Sequence, residues 1–115
     1  MAALTTNVVP KQATRIDTLF TAASAGGDDC ATGGGMFLLV KNTSGSAVTV
    51  TLAVPGLVDG DLTVANRTFS VAATTGEHCI PLTDFPYKNT STGRANITYS
   101  ATSGVTVLVV RVPTS

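Results

Sequence analysis

Val48, Val50, Leu52 and Val54 alternate with Thr49, Thr51 and Ala53, so residues 47–54 read as a strand with one apolar face. The same period of two recurs at 67–72, with Phe69 and Val71 on one side. It appears again at 77–82, and at 94–100, with Ala95, Ile97 and Tyr99 on one side. The run MFLLVKN at 36–42 is short and apolar, and its length and flanks favour a strand over a buried helix. Across the turn at 43–46 it predicts a β-hairpin with 47–54. Residues 14–23 contain a first strand, with Ile16, Thr18, Phe20 and Ala22 sharing a face. Residues 24–35, SAGGDDCATGGG, read as a long flexible loop. Pro55-Gly56 and Asp59-Gly60-Asp61 mark another loop. Pro81 removes a ladder donor, which puts its strand at an edge or ends it there. Residues 83–93 read as a surface loop with room for one helical turn.

Residues 105–112, VTVLVVRV, are apolar on both faces. Val105, Val107 and Val109 lie on one side, and Leu108, Val110 and Val112 on the other. Such a strand is either central or meets a partner with its outer face. The whole reads as about seven strands with turns every 8 to 12 residues, which predicts an all-β, antiparallel β-sandwich. The expected core is Val48, Val50, Leu52, Phe69, Val71, Ile97, Tyr99 and Val107. To these it adds Phe37 and Leu39 or the opposite set, Leu38 and Val40. Residues 1–13 read as an extended N-terminal arm ahead of a single domain at 14–115. Val9 is held in extended geometry by Pro10. The arm is either a frayed terminus or a segment that lies on a neighbour. The candidate protein interface is therefore Leu4, Val8 and Val9 from the arm, with Leu108, Val110 and Val112 from the last strand.

Composition supports strands. Thr occurs 20 times and Val 14 times, both branched at Cβ, while the good helix formers Glu and Gln occur once each. Charged residues are only 12% of the 115, and Lys+Arg and Asp+Glu balance at 7 each. A neutral chain has no basic footprint for nucleic acid and no polybasic patch for a membrane surface. Its surface is hydroxyl-rich, cheap to desolvate and suited to packing against other proteins. The opening residues show no basic region leading into an apolar run, so no secretory signal is expected. No stretch approaches a membrane helix. The four N-x-Ser/Thr sequons, at Asn42, Asn66, Asn89 and Asn96, then read as products of a Thr-rich composition.

Little catalytic chemistry is on offer, and a non-enzymatic protein without cofactor or metal is expected. His78 is the single histidine and reads as an ordinary strand residue. Glu77 is the single Glu, and most of the Asp residues lie in turns, so no pair of catalytic carboxylates stands out. Asp28-Asp29 and Asp59-Gly60-Asp61 do not extend into an EF-hand pattern. Gly33-Gly34-Gly35 is followed by a strand and no Gly-Lys-Ser/Thr, so it is no phosphate loop. Cys30 and Cys79 either bridge or stay as two free thiols. A carbohydrate-binding module would want exposed aromatic platforms, and the chain has no Trp, with Tyr87 as its main exposed ring.

Several motifs resemble a group of small proteins of tailed bacteriophages. They are FLLVKNTSGSAVTVTLAVPGLVDG at 37–60, VANRTFSVAA at 64–73, Phe85-Pro86-Tyr87, and ITYSATSGVTVLVVRV at 97–112. The likeness runs from about residue 14 to the C-terminus and includes the Ala-Gly-Gly-Asp loop at 25–28. The resemblance implies a virion structural protein made in the host cytoplasm. Its expected role is capsid decoration, cementing the head by binding the major capsid protein. The outer face of the last strand is expected either to mediate self-association there as a homotrimer or to be covered by the protein's own N-terminal segment. A head–tail or tail component is the alternative. Cys30 and Cys79 depart from the group's pattern together, which adds a little weight to pairing without displacing two free thiols as the main expectation.

Overall fold

The computed structural model describes residues 2–10 and 12–112; Met1, Lys11 and residues 113–115 lie outside them. The chain is all-β, as expected, but its sheets are mixed. The first sheet has the order β1 (Ala2–Ala3), β4 (Asp28–Ala31), β11 (Arg94–Tyr99), β6 (Val48–Leu52), β9 (Arg67–Val71). The second runs β10 (Gly76–Pro81), β5 (Met36–Asn42), β12 (Val105–Arg111), β2 (Thr6–Val8), with β3 (Thr21–Ala22) also paired to β12. A separate two-stranded ribbon joins β7 (Leu57–Val58) to β8 (Leu62–Thr63), and α1 (Asp84–Tyr87) is a single short turn interrupted at Phe85, whose backbone is extended. Alternation places one face of each sheet in a single apolar cluster. Leu38, Val40, Val107 and Val109 come from the second sheet, and Val48, Val50, Leu52, Val71 and Ile97 from the first. Burying these branched side chains is the main driving force for the fold, at roughly 25 cal/mol per Å².

Several expectations are corrected. Residues 36–42 and 47–54 do not pair with each other. β5 lies between β10 and β12, whereas β6 lies between β11 and β9, so the turn at 43–47 carries the chain from one sheet to the other. Asn42 fixes this crossover. It is fully buried, and its Nδ2 donates to the carbonyls of Ser46 (2.9 Å), Val71 (3.3 Å) and Ala72 (3.2 Å). Ser44 donates from N (3.0 Å) and Oγ (2.6 Å) to Asn42 Oδ1. A side-chain amide thus ties β5 to the end of β9 and leaves none of its polar groups unpaired. Of the alternative inward sets on β5, Leu38 and Val40 face the core.

Residues 24–35 are not all loop. Asp28–Ala31 is a strand in which Asp28 and Cys30 are fully buried. The glycines on either side hid it, because four residues are too few to show alternation. The strand expected over 14–23 shrinks to Thr21–Ala22, and Thr18–Phe20 precede it as part of a turn and its exit. The expected edge at Pro81 is present, since β10 borders its sheet and ends there. The helical turn expected in 83–93 is α1.

The arm is extended, but it is built into both sheets. β1 runs parallel to β4, and β2 runs parallel to β12. These parallel pairs make the sheets mixed: the arm lies alongside its partners with no turn to reverse it. Leu4 packs against the core, and Arg94 Nη2 donates to the Leu4 carbonyl (3.2 Å) while its Nε donates to Asp29 (2.7 Å).

Candidate functional site

The connections sort the molecule into two ends. One end carries the crossover at 43–47 and the turns at 72–75, 100–104 and 24–27. The other carries the loops at 32–35, 53–66 and 82–93, with the C-terminal ends of β2 and β12. Polar groups are tied inward at the first end. Thr43 donates from N to Gly104 O (2.9 Å), and Thr74 N to Ser44 O (2.8 Å). Tyr99 donates its hydroxyl to Asp28 Oδ2 (2.7 Å), and Ser24 N reaches the same oxygen (3.3 Å). Burial, and then the neighbouring Asp28, push the Tyr99 phenol well above its ordinary range.

The second end collects every large apolar side chain that stands exposed among the described residues: Val8, Leu57, Leu62, Phe85 and Val112. Phe85 is 89% exposed, an unusual state for a ring that gains so much by burial. Thr83 Oγ1 donates to the Phe85 carbonyl (2.7 Å), and Thr32 Oγ1 to Asp84 Oδ1 (2.6 Å), so the loop that presents the ring is fastened at its base. Val54, Leu57, Val64, Phe85 and Pro86 line a cleft of about 390 Å³, and Arg67, Lys88 and Asp84 border it. Val54 N donates to Asn66 Oδ1 (2.9 Å), which holds the cleft floor.

The predicted interface residues divide. Val8 and Val112 are exposed at the β2–β12 edge, with Val9 half-buried beside them. Val9 N donates to Arg111 O (2.9 Å), and Val112 N to Gly35 O (2.8 Å). Gly35 has φ +74°, and a Cβ there would collide with the Val112 carbonyl. Leu108 and Val110 are buried within the chain itself, and Leu4 is half-buried against the core. Leu108 and Val110 are 2% and 5% exposed yet stand outside the main core. They pair across the sheet with Leu39 and Phe37, on the outer face. The segment after the arm runs over part of that face: Leu19 lines a cleft with Leu108, and Ile16 and Phe20 line one with Leu39. The protein's own chain therefore buries Leu108 and Val110 on the outer face of β12.

The cleft at Phe85 was missed in the sequence, although a signal existed. Phe-Pro between Asp84 and Lys88, in a loop, puts an aromatic where charge and turn chemistry demand solvent. Leu57 and Leu62 likewise flank an Asp-Gly-Asp turn.

The other chemistry-bearing residues stay apart. Cys30 and Cys79 are free thiols, Cys30 buried and Cys79 exposed on the edge strand β10. Burial pushes the Cys30 thiol up to about 12, against the opposing pull of Arg94. His78 Nδ1 and Asp28 Oδ1 are buried without a hydrogen-bond partner, in different sheets. No group of three or more His, Cys, Asp or Glu side chains that could hold a metal forms among the described residues. No helix of the described residues is long and apolar enough to cross a membrane. Comparison with protein-family models, with curated proteins and with solved structures found no match for the chain.

Proposed function

We propose that this chain is a virion structural protein of a tailed bacteriophage that decorates the capsid, binding the major capsid protein lattice and cementing the head. The reading begins from the resemblance of several motifs to small phage proteins. The observation that carries it is the gathering, at one end, of the exposed large apolar side chains among the described residues. An apolar patch kept at the surface of a small domain marks a contact site. The β2–β12 edge, with Val8 and Val112, is the part of that end assigned to the lattice. In this reading the two sheets act as one rigid sandwich, largely antiparallel, with the arm closing an edge of each. Binding energy for the assembled lattice then adds to shell stability by mass action.

Co-sedimentation of the purified protein with empty shells of the major capsid protein tests the role. Saturable binding that drops when Val8→Asp and Val112→Asp are combined supports decoration. Binding to the tail or connector fraction instead would favour the head–tail alternative. Deleting residues 2–9 is a poor probe, because it also removes Leu4 from the core and a partner from Arg94.

A further inference from the structure

The last strand, expected to mediate self-association, is covered, but a different surface has the complementarity that the strand lacks. The cleft at Phe85 is apolar within; Asp84 also lines it, with its Oδ1 already accepting from Thr32, and two cations, Arg67 and Lys88, leave the border net positive. Neither side chain makes an ion pair or a hydrogen bond among the described residues. Its natural occupant is an apolar segment that carries carboxylates.

The β7–β8 ribbon has that chemistry. Asp59 and Asp61 stand at its tip, and Leu57 and Leu62, both more than half exposed, flank them. Neither aspartate forms an ion pair among the described residues. The tip is a tight turn in which Asp59 (φ +54°) and Gly60 (φ +79°) are both left-handed. It projects as a knob paired to neither main sheet. Leu57 forms a wall of the cleft, whereas Asp59, Asp61 and Leu62 do not line it. The knob therefore stands beside its own cleft without filling it.

We propose that a second copy of this chain occupies the cleft. Its Asp59–Leu62 tip seats against Phe85, with the carboxylates facing Arg67 and Lys88. A knob set beside its own hole allows two copies to exchange tips across a twofold axis, a closed and self-complementary arrangement. Phe85, as a large ring at the centre of the contact, supplies most of the affinity, and the charge pairs at the border set the register. This contact uses the loop side of the apolar end and leaves the β2–β12 edge free. It holds whether or not the capsid role does.

Sedimentation equilibrium of the purified full chain, run over a concentration series at low and high salt, tests it. The expected result is a closed oligomer that weakens as salt rises. Phe85→Ser should raise its dissociation constant roughly thirtyfold. Asp61→Lys and Lys88→Glu should each raise it roughly tenfold, and the two combined in one chain should restore assembly. All these positions are exposed, and circular dichroism confirms that each variant is folded. A protein that stays monomeric at the highest concentration overturns the proposal. So does an oligomer indifferent to Phe85→Ser and to both charge reversals, or a monomer whose cleft variants lose binding only to capsid shells.

Discussion

At the crossover end, buried and half-buried polar side chains are bonded inward, Asn42 to three carbonyls and Tyr99 to Asp28, while the backbone N–H groups of Thr43 and Thr74 tie neighbouring turns together. At the opposite end, the apolar groups point outward: Phe85, Leu57 and Leu62 around a cleft, Val8 and Val112 at an edge. This inverts the usual placement at both ends, and the inversion has a physical meaning. Buried hydrogen bonds with several partners are costly to break and specify one geometry, so the first end fixes how the two sheets are joined. Exposed apolar area gains nothing until something covers it, so the second end is where association lowers the free energy.

The contrast can be broken by removing the crossover clip. Asn42→Ala strips the Ser46, Val71 and Ala72 carbonyls of their donor and should lower unfolding stability by about 3 kcal/mol, read as a fall in the urea midpoint. Phe85→Ser should not do so. At the apolar end itself, Gly35→Ala separates scaffold from contact surface. It forces a side chain into a left-handed position against the Val112 carbonyl and should cost more than about 1 kcal/mol, while freeing the end of β12 as seen by hydrogen exchange at Val112.

Alkali should weaken the buried polar region first. Cys30, raised from 9.0 to about 12, and Tyr99, also raised, stay protonated in the native state after their unfolded counterparts have ionised. The native state then holds more protons, so stability falls as pH climbs from about 9 toward 12. Cys30→Ala should flatten the lower part of that slope in pH-dependent urea titrations. The smallest effect is the most telling. Phe85→Ser and Leu62→Ser should each change stability by less than about 0.5 kcal/mol in the same titrations.

Strands long enough to show two full periods could be read directly from the residues. Val48–Leu52, Arg94–Tyr99 and Val105–Arg111 fall within a residue or two of where alternation puts them. What alternation does not encode is the partner. The turn at 43–47 looks like a hairpin turn, and only the buried amide of Asn42, which bonds to a strand 29 residues away, reveals a sheet change. Asp28–Ala31 was hidden because two of its residues are acidic and glycines surround it. The burial of Asp28 depends on Tyr99, 71 residues later. The candidate surface was half legible. Val8 and Val112 stand out as apolar residues of the arm and the last strand, while the outer face of β12 is approached by the 14–23 segment, whose Leu19 lies beside Leu108.

Hydrogen–deuterium exchange of the protein, free and bound to capsid shells, tests the division between the two ends most directly. Binding should slow exchange at 8–10, 32–36 and 111–112, with the turns at 43–47, 72–76 and 100–104 unchanged. Protection at those turns, with the apolar end exchanging as in the free protein, would contradict the account.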